Sequence, residues 1–246
     1  TAGKTILDSL YLKSGTFSQT VQLNLKGNLR RSIGANYTSN TSIFQFEGDS
    51  TQYINDEASD SLLFYDLRID KPSGNVVLEN NSPIDVKNQL RFNTNNVGII
   101  YARKTGNYVI VENNVSRQGS GHVNGELIKN IPAGDASEIT FEVGDTLYYS
   151  PFYLDMRAGT GSTAGFLSMN AIPGDYPYMG DAIITSTNPP IYPGRIVHRY
   201  WRLTKPAWST FVRGNRNFDI RSEYRNSEDW EALDSYECAD FAFNKH

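Results

Sequence analysis

The sequence predicts an all-β protein: a short parallel β-helix, or solenoid, over residues 1–120, followed by an antiparallel β-sandwich over residues 121–246. Three observations predict it. Asn, Ser, Thr and Gly are abundant, and Tyr (15) and Phe (12) supply much of the buriable area; that mixture favours strands and tight turns over helices. Before residue 120 the apolar runs are short and closely spaced, whereas beyond it they lengthen and become aromatic. All three Trp and eight of the ten Pro lie beyond residue 120. The stretch Ser120–Pro151 is the seam between the two regions.

In the first region, period-2 or simply short apolar runs recur. They are Leu10–Leu12, Val21–Leu25, Ile43–Phe46, Tyr65–Ile69, Val76–Leu78, Ile84–Val86, Leu90–Phe92, Val97–Tyr101 and Tyr108–Val111. Turn clusters separate them, such as Lys26-Gly27-Asn28, Ser73-Gly74-Asn75 and Thr105-Gly106-Asn107. No stretch carries a helical stripe. An antiparallel sandwich would also explain many strands, but it favours strands of about five residues or more. Runs as short as VVL, IDV and LRF, 6–8 residues apart, fit a solenoid, where each strand is buried by the turns above and below it. Asn in the turns is expected either as plain turn chemistry or as ladders stacked between coils. Two polar stretches, Leu29 to Thr41 and the acidic Tyr53 to Ser61, are expected to be loops bulging from the coils.

In the seam, Val123-Asn124-Gly125 reads as a tight turn with Gly supplying positive φ. Glu126–Lys129 reads as a strand, and Ile139–Val143 alternates before Gly144-Asp145 turns the chain into Tyr148–Met156. The run Gly159–Gly165 (GTGSTAG) lacks the Lys of a P-loop and opens no helix, so it is read as a hairpin turn before the strand Phe166–Met169. Ile196–Leu203 is the strongest later strand, with Trp201 at the second core, Tyr200 on the opposite face, and Trp208 and Trp230 at its ends. Phe218–Tyr224 alternates again, Asn226–Leu233 is a short helix candidate, and Tyr236–Phe243 a last strand. The Pro- and Tyr-rich stretches 171–181 and 188–194 are read as long loops pinned by Pro. Alternatively, Tyr176, Tyr178 and Tyr192 form an exposed aromatic surface suited to sugar rings.

The chemistry is bounded by what is missing. A net charge of −4 makes no electrostatic case for nucleic acid or an anionic membrane surface. No run approaches the ~18 apolar residues of a membrane span, and the opening TAGKTILDSL lacks a charged region followed by an apolar one. The single Cys238 forms no intramolecular disulfide. His122, His198 and His246 have no metal-site spacing, and no G-x-S-x-G occurs. Neither a cofactor nor a metal is implied, and no catalytic residues are assigned. Asp66, Arg68, Asp70 and Lys71 superficially offer the acid and base set of a β-helix hydrolase or lyase, but are read first as a solvated strand face.

The order of segments resembles a known block. LYLKSGTF, LNLKGNL, SIFQFEGDSTQYIND and LLFYDLRIDKPSGNVVLENNSPIDVKNQLRF, then SGHVNGELIKNI, ITFEVGDTLYYSPFYL and His198–Leu203 (HRYWRL), resemble a recurrent block in large modular surface proteins of the Bacteroidetes. The likeness covers most of the chain. Phe-Glu-Val-Gly stands where Phe-Pro-Val-Gly is commoner. The resemblance implies an exported, cell-surface or secreted, adhesin-like protein, often cargo of the type IX secretion pathway, without enzyme activity in this module. Expected partners are the secretion machinery or other surface proteins, with glycans as the alternative ligand, and neither nucleic acid nor membrane insertion. The C-terminal sorting domain of such cargo is not visible, which points to a piece of a longer protein. The competing expectation is a carbohydrate-binding module or a β-helix polysaccharide lyase or hydrolase.

Overall fold

Columns of inward-facing apolar side chains run through the first half of the molecule, one residue per rung. In-register pairing carries Leu23 onto Phe44, Phe44 onto Leu67, Leu67 onto Leu90 and Leu90 onto Val115. A parallel column runs through Leu25, Phe46, Ile69 and Phe92. Stacked parallel strands repeat at about 4.8 Å, so each side chain is closed off by its counterparts above and below. This is how runs of three or four residues bury a core.

The computed structural model describes residues 4–58, 60–79, 81–93, 98–134, 136–157, 159–174 and 199–223. The first turn consists of β1 (Lys4–Leu7), β2 (Leu10–Leu12) and β3 (Gly15–Ser18), the second of β4 (Gln22–Leu25), β5 (Leu29–Arg31) and β6 (Ala35–Thr38). Next come β7 (Ile43–Glu47), β8 (Gln52–Asp56), β9 (Leu62–Asp70), β10 (Val76–Glu79), β11 (Ile84–Phe92) and β12 (Ile100–Ala102). β13 (Val109–Val111), β14 (Asn114–Arg117), β15 (Val123–Gly125) and β16 (Leu127–Ile131) complete the coil. The result is a parallel β-solenoid of about five turns.

Three faces can be followed. Face one holds β1, β4, β7, residues 66–70 of β9, residues 89–92 of β11, and β14. Face two runs β2, β5, β8, β10, β12, β15. On face three, residues 62–64 of β9 pair with 84–86 of β11, then with β13 and β16, while β3 and β6 form their own ladder. Thus β9 and β11 each turn a corner, and the register between them shifts between Val86 and Gln89. The runs Ile84–Val86 and Leu90–Phe92 are therefore one bent strand. An aromatic cluster fills the early turns: Phe44 lies 5.2 Å from Phe46 and 5.0 Å from Phe64, with Tyr37 at 5.6 Å from Phe64.

The two stretches expected to be loops contain strands instead: β5 and β6 in the first, β8 in the second. Leu29 and Ile54 are fully buried and pair in register. The polar residues between them are consistent with a strand because Arg31 and Asp56, also in register, neutralise each other. Val123-Asn124-Gly125 is likewise a strand, β15, rather than a turn. Gly125 keeps φ at 134°, and a Cβ there would collide with the Ala102 carbonyl of the rung it pairs with.

Asn side chains do link successive turns. Asn28 Oδ1 accepts from Tyr53 N at 2.9 Å, Asn75 Oδ1 from Ile99 N at 3.1 Å and Asn107 Oδ1 from Ser82 N at 2.6 Å. At the last position the ladder continues, because Asp56 N donates to Ser82 Oγ at 2.8 Å. These corner amides satisfy backbone donors that strand pairing leaves over.

At the seam, strand direction changes while the sheet continues. β17 (Ala136–Phe141), β18 (Phe152–Met156), β19 (Gly165–Pro173), β20 (Arg199–Thr204) and β21 (Phe218–Ser222) are all antiparallel to their partners. β19 pairs with β16 of the solenoid and β20 with β19; β17, β18 and β21 form a three-stranded sheet. The last rungs of faces two and three are thereby covered. β19 takes the edge of β16. Val143 bridges to Val123, with Val123 N donating to Glu142 O at 2.9 Å and Gly144 N to Val123 O at 3.0 Å. Covered edges do not recruit other chains. The apolar core runs on without interruption from the solenoid into Phe141, Phe152, Leu154, Met169 and Phe211.

Trp201 is half-buried against this core, and its Nε1 donates to Ser150 O at 3.0 Å. Trp208 is 53% exposed and packs in a tilted arrangement against Phe166 at 5.1 Å. The helix candidate Asn226–Leu233, the strand Tyr236–Phe243, Trp230, Cys238 and His198 lie outside the described residues.

Candidate functional site

The aromatic candidates Tyr176, Tyr178 and Tyr192 lie outside the described residues. The charged candidates on β9 separate into two environments. Leu67 and Ile69 are fully buried, so Asp66, Arg68 and Asp70 alternate onto the outside of face one, where they are half-buried. Lys71 does not join them. It is buried, and its ammonium donates to Gly48 O at 3.2 Å, Ser50 O at 2.7 Å and Gln52 Oε1 at 2.6 Å. Gln52 in turn donates to Leu25 O at 3.0 Å. Lys71 therefore clamps the corner between faces one and two across successive turns.

Burial pulls the Lys71 pKa down from 10.5 to about 8, with Asp49 opposing the shift. Between these values the unfolded chain holds a proton that the folded chain has lost. Stability therefore rises as pH climbs through that window, by up to about 3 kcal/mol. Below about pH 8 both states are charged and the full cost of burying the charge is present. Denaturant unfolding below and above the window is expected to show this rise in the wild type and to lack it in Lys71→Met. Equal pH slopes in the two proteins would refute the assignment.

The outer surface of face one is a polar lane. Pairing aligns Asn24, Gln45, Arg68, Arg91 and Ser116 in one column, and Asp66, Gln89 and Asn114 in the next. Glu47 and Asp70 form the opposite border. Near β4 and β7 the lane is knitted together. Gln22 Nε2 donates to Asn24 Oδ1 at 2.9 Å, Asn24 to the Glu47 carboxylate, and Gln45 Nε2 to Glu47 at 3.2 Å and Asp70 at 3.1 Å. Farther along, Asn88 Nδ2 donates to Asp66 Oδ1 at 2.7 Å and Asn113 to Asn88 at 3.2 Å. Such bonds hold side chains in fixed rotamers, so a ligand meeting this face finds it already ordered.

A second polar cluster sits at the seam. Asp145 anchors it: Oδ1 accepts from Leu147 N at 2.7 Å and Tyr148 N at 2.8 Å, and Oδ2 faces Arg199 Nη2 at 2.8 Å. Arg199 also bonds Ser150 Oγ. The His122 ring lies between two carbonyls, Ser120 O at 2.9 Å from Nδ1 and Asp145 O at 2.7 Å from Nε2. Burial pulls the imidazole below the ordinary histidine range despite those acceptors, so the neutral ring donates to one carbonyl only. Lys129 and Glu142 pair at 3.1 Å, and burial raises the Glu142 carboxyl against that pairing. The Arg117 guanidinium stacks 3.5 Å from the Tyr149 ring centre. Most of these groups answer one another internally, and together they pin β20 and the 142–150 turn to the solenoid. In the sequence only Gly144-Asp145 hinted at this, as a turn; its partners lie about 20 to 55 residues away in the chain.

A cleft of about 580 Å³ lies beside β8, lined by Asn55, Asp56, Glu57, Asn81 and Gly106 among others. Its acids are already engaged, Asp56 by Arg31 at 2.6 Å and Glu57 by Arg30 at 2.6 Å. Among the described residues no group of three His, Cys, Asp or Glu is placed to hold a metal ion. No described helix is long and apolar enough to cross a membrane. In comparisons with protein-family models, curated proteins and solved structures, the chain matches none.

Proposed function

We propose that this chain is a non-catalytic structural or adhesive module of a secreted, cell-surface-associated bacterial protein, of the kind exported as type IX cargo. The observation that carries the reading is the outer surface of face one. It is a lane of buried and half-buried polar side chains, pre-ordered by bonds between rungs, which suits contact with an extended partner. The resemblance of the segment order to modular surface proteins supports the same reading. We further read the antiparallel part as sandwich-like, with β19 and β20 in one layer and β17, β18 and β21 in the other, closing one end of the solenoid.

The competing reading is a carbohydrate-active protein. It is favoured by Asp66 and Asp70 flanking Arg68 on a β-helix face, a placement that could serve acid and base chemistry on a polysaccharide. One pair of measurements separates the two. Beads coated with the protein are expected to adhere to bacterial or glycan-coated surfaces, while incubation with polysaccharides yields no new reducing ends or unsaturated products. Product release that stops in Asp66→Asn or Asp70→Asn would overturn the structural reading.

A further inference from the structure

The middle of the face-one lane holds two arginines that the fold leaves unanswered. Arg68 and Arg91 pair in register on adjacent rungs of β9 and β11, about 4.8 Å apart along the stack. Like charges directly opposite each other on neighbouring strands repel. Acids that could relieve this are near, since Asp66 and Asp70 stand two residues either side of Arg68 on the same face. Both are held by amides instead, Asp66 by Asn88 at 2.7 Å and Asp70 by Gln45 at 3.1 Å. Among the described residues, neither the Arg68 nor the Arg91 guanidinium makes an ion pair or hydrogen bond, and Arg91 Nε is shut off from solvent without a partner. Every other rung of the column carries an uncharged side chain: Ile6, Asn24, Gln45 or Ser116.

We propose that Arg68 and Arg91 form a two-pronged oxyanion site for an extended anionic polysaccharide bearing carboxylate or sulfate groups. The inference rests on the reading of this face as the contact surface. A guanidinium is a planar fork that binds such groups through two parallel bonds. Two forks one rung apart accept successive oxygens of one group or adjacent groups along a chain. The neighbouring Gln89, Asn114 and Ser116 offer donors and acceptors for hydroxyls on either side. A polysaccharide fits this company of neutral amides and hydroxyls. Nucleic acid does not: two arginines on a chain of net charge −4 are far short of the basic footprint that phosphate backbones require.

The test is affinity electrophoresis of the whole chain through gels containing polygalacturonate, dextran sulfate, neutral dextran or polyphosphate. The wild type is expected to be retarded by polygalacturonate or dextran sulfate, less so as salt rises. Arg68→Gln and Arg91→Gln should each weaken that binding by about tenfold or more, and the double variant should abolish it. Arg68→Lys/Arg91→Lys should retain only weak, salt-sensitive retardation, because an ammonium lacks the fork. Melting temperatures at or above wild type, as expected when like charges are removed, show that the variants fold. Failure of both polyanions to retard the wild type overturns the proposal, as does unchanged retardation of the double variant or retardation by polyphosphate alone. If the wild type adheres to neutral glycan or bacterial surfaces while ignoring both polyanions, this inference falls and the adhesive reading stands. If it adheres to nothing and releases product from polysaccharide, the adhesive reading falls with it.

Discussion

Replacing Asp56 with alanine is expected to lower the unfolding free energy by about 3–5 kcal/mol, because it strands a buried charge. Arg31 is 3% exposed and Asp56 2%. Both Asp56 oxygens meet the guanidinium, Oδ1 at 2.8 Å from Nε and Oδ2 at 2.6 Å from Nη2. The remaining acid, Asp60, lies at 3.0 Å but its side chain is 71% exposed, so water screens it. Burial by itself would lower the Arg31 pKa, yet Asp56 and Asp60 outweigh it and hold the group above its ordinary value. Because arginine is not deprotonated in proteins, Arg31 stays charged when its partner is removed. Asp56 Oδ1 also accepts from Ala58 N at 3.1 Å, a bond lost with it. The double change Arg31→Met/Asp56→Leu is expected to recover most of the loss, since an apolar pair of similar volume leaves no unpaired charge. Urea unfolding of Asp56→Ala and of the double variant checks this. A single-variant loss below about 1 kcal/mol would mean the pair behaves like an exposed ion pair.

Phe44→Ala is expected to cost a similar amount, about 3–5 kcal/mol, through a cavity that the neighbours cannot close. Phe44 is fully buried on β7 between Leu23 and Leu67, with Phe46, Phe64 and Tyr37 rings within 5.0–6.0 Å. Their backbones are fixed by the ladder on both sides, so collapse is limited. A solenoid couples each turn mainly to its neighbours. Hydrogen exchange is therefore expected to accelerate first in β4, β7 and β9, and least in β16 and β19. Phe44→Leu, which keeps most of the volume, is expected to lose about 1–2 kcal/mol. Uniform acceleration across all strands would show instead that the fold unfolds as one unit.

Much of the architecture is legible along the chain because it is locally encoded. Tyr65–Ile69 and Leu90–Phe92 alternate so clearly that the inward set Leu67, Ile69, Leu90 and Phe92 is visible in the sequence. The outward position of Asp66, Arg68 and Asp70 follows from the same alternation. Asn28, Asn75 and Asn107 mark turns for two reasons at once: the residue suits the bend, and its amide reaches an adjacent coil. Lys71 was not legible. One residue beyond Asp70, it belongs by position to the charged strand, and only the corner after β9 turns it inward onto Gly48, Ser50 and Gln52.

By itself, then, the sequence determined the all-β class, the short-rung solenoid and the change of character at the seam, because apolar spacing and turn chemistry act over a few residues. The tertiary structure decided the rest. LRR, ANYT and QYIND become strands because rungs about 20 residues away supply their hydrogen-bond partners, and β-structure follows such context more than intrinsic preference. The reversal from parallel to antiparallel between β16 and β19 depends on which edge needs cover. The unpaired state of Arg68 and Arg91 depends on which amides reach Asp66 and Asp70 first. Each of these outcomes is fixed by a contact between residues far apart in the chain, where no local pattern records it.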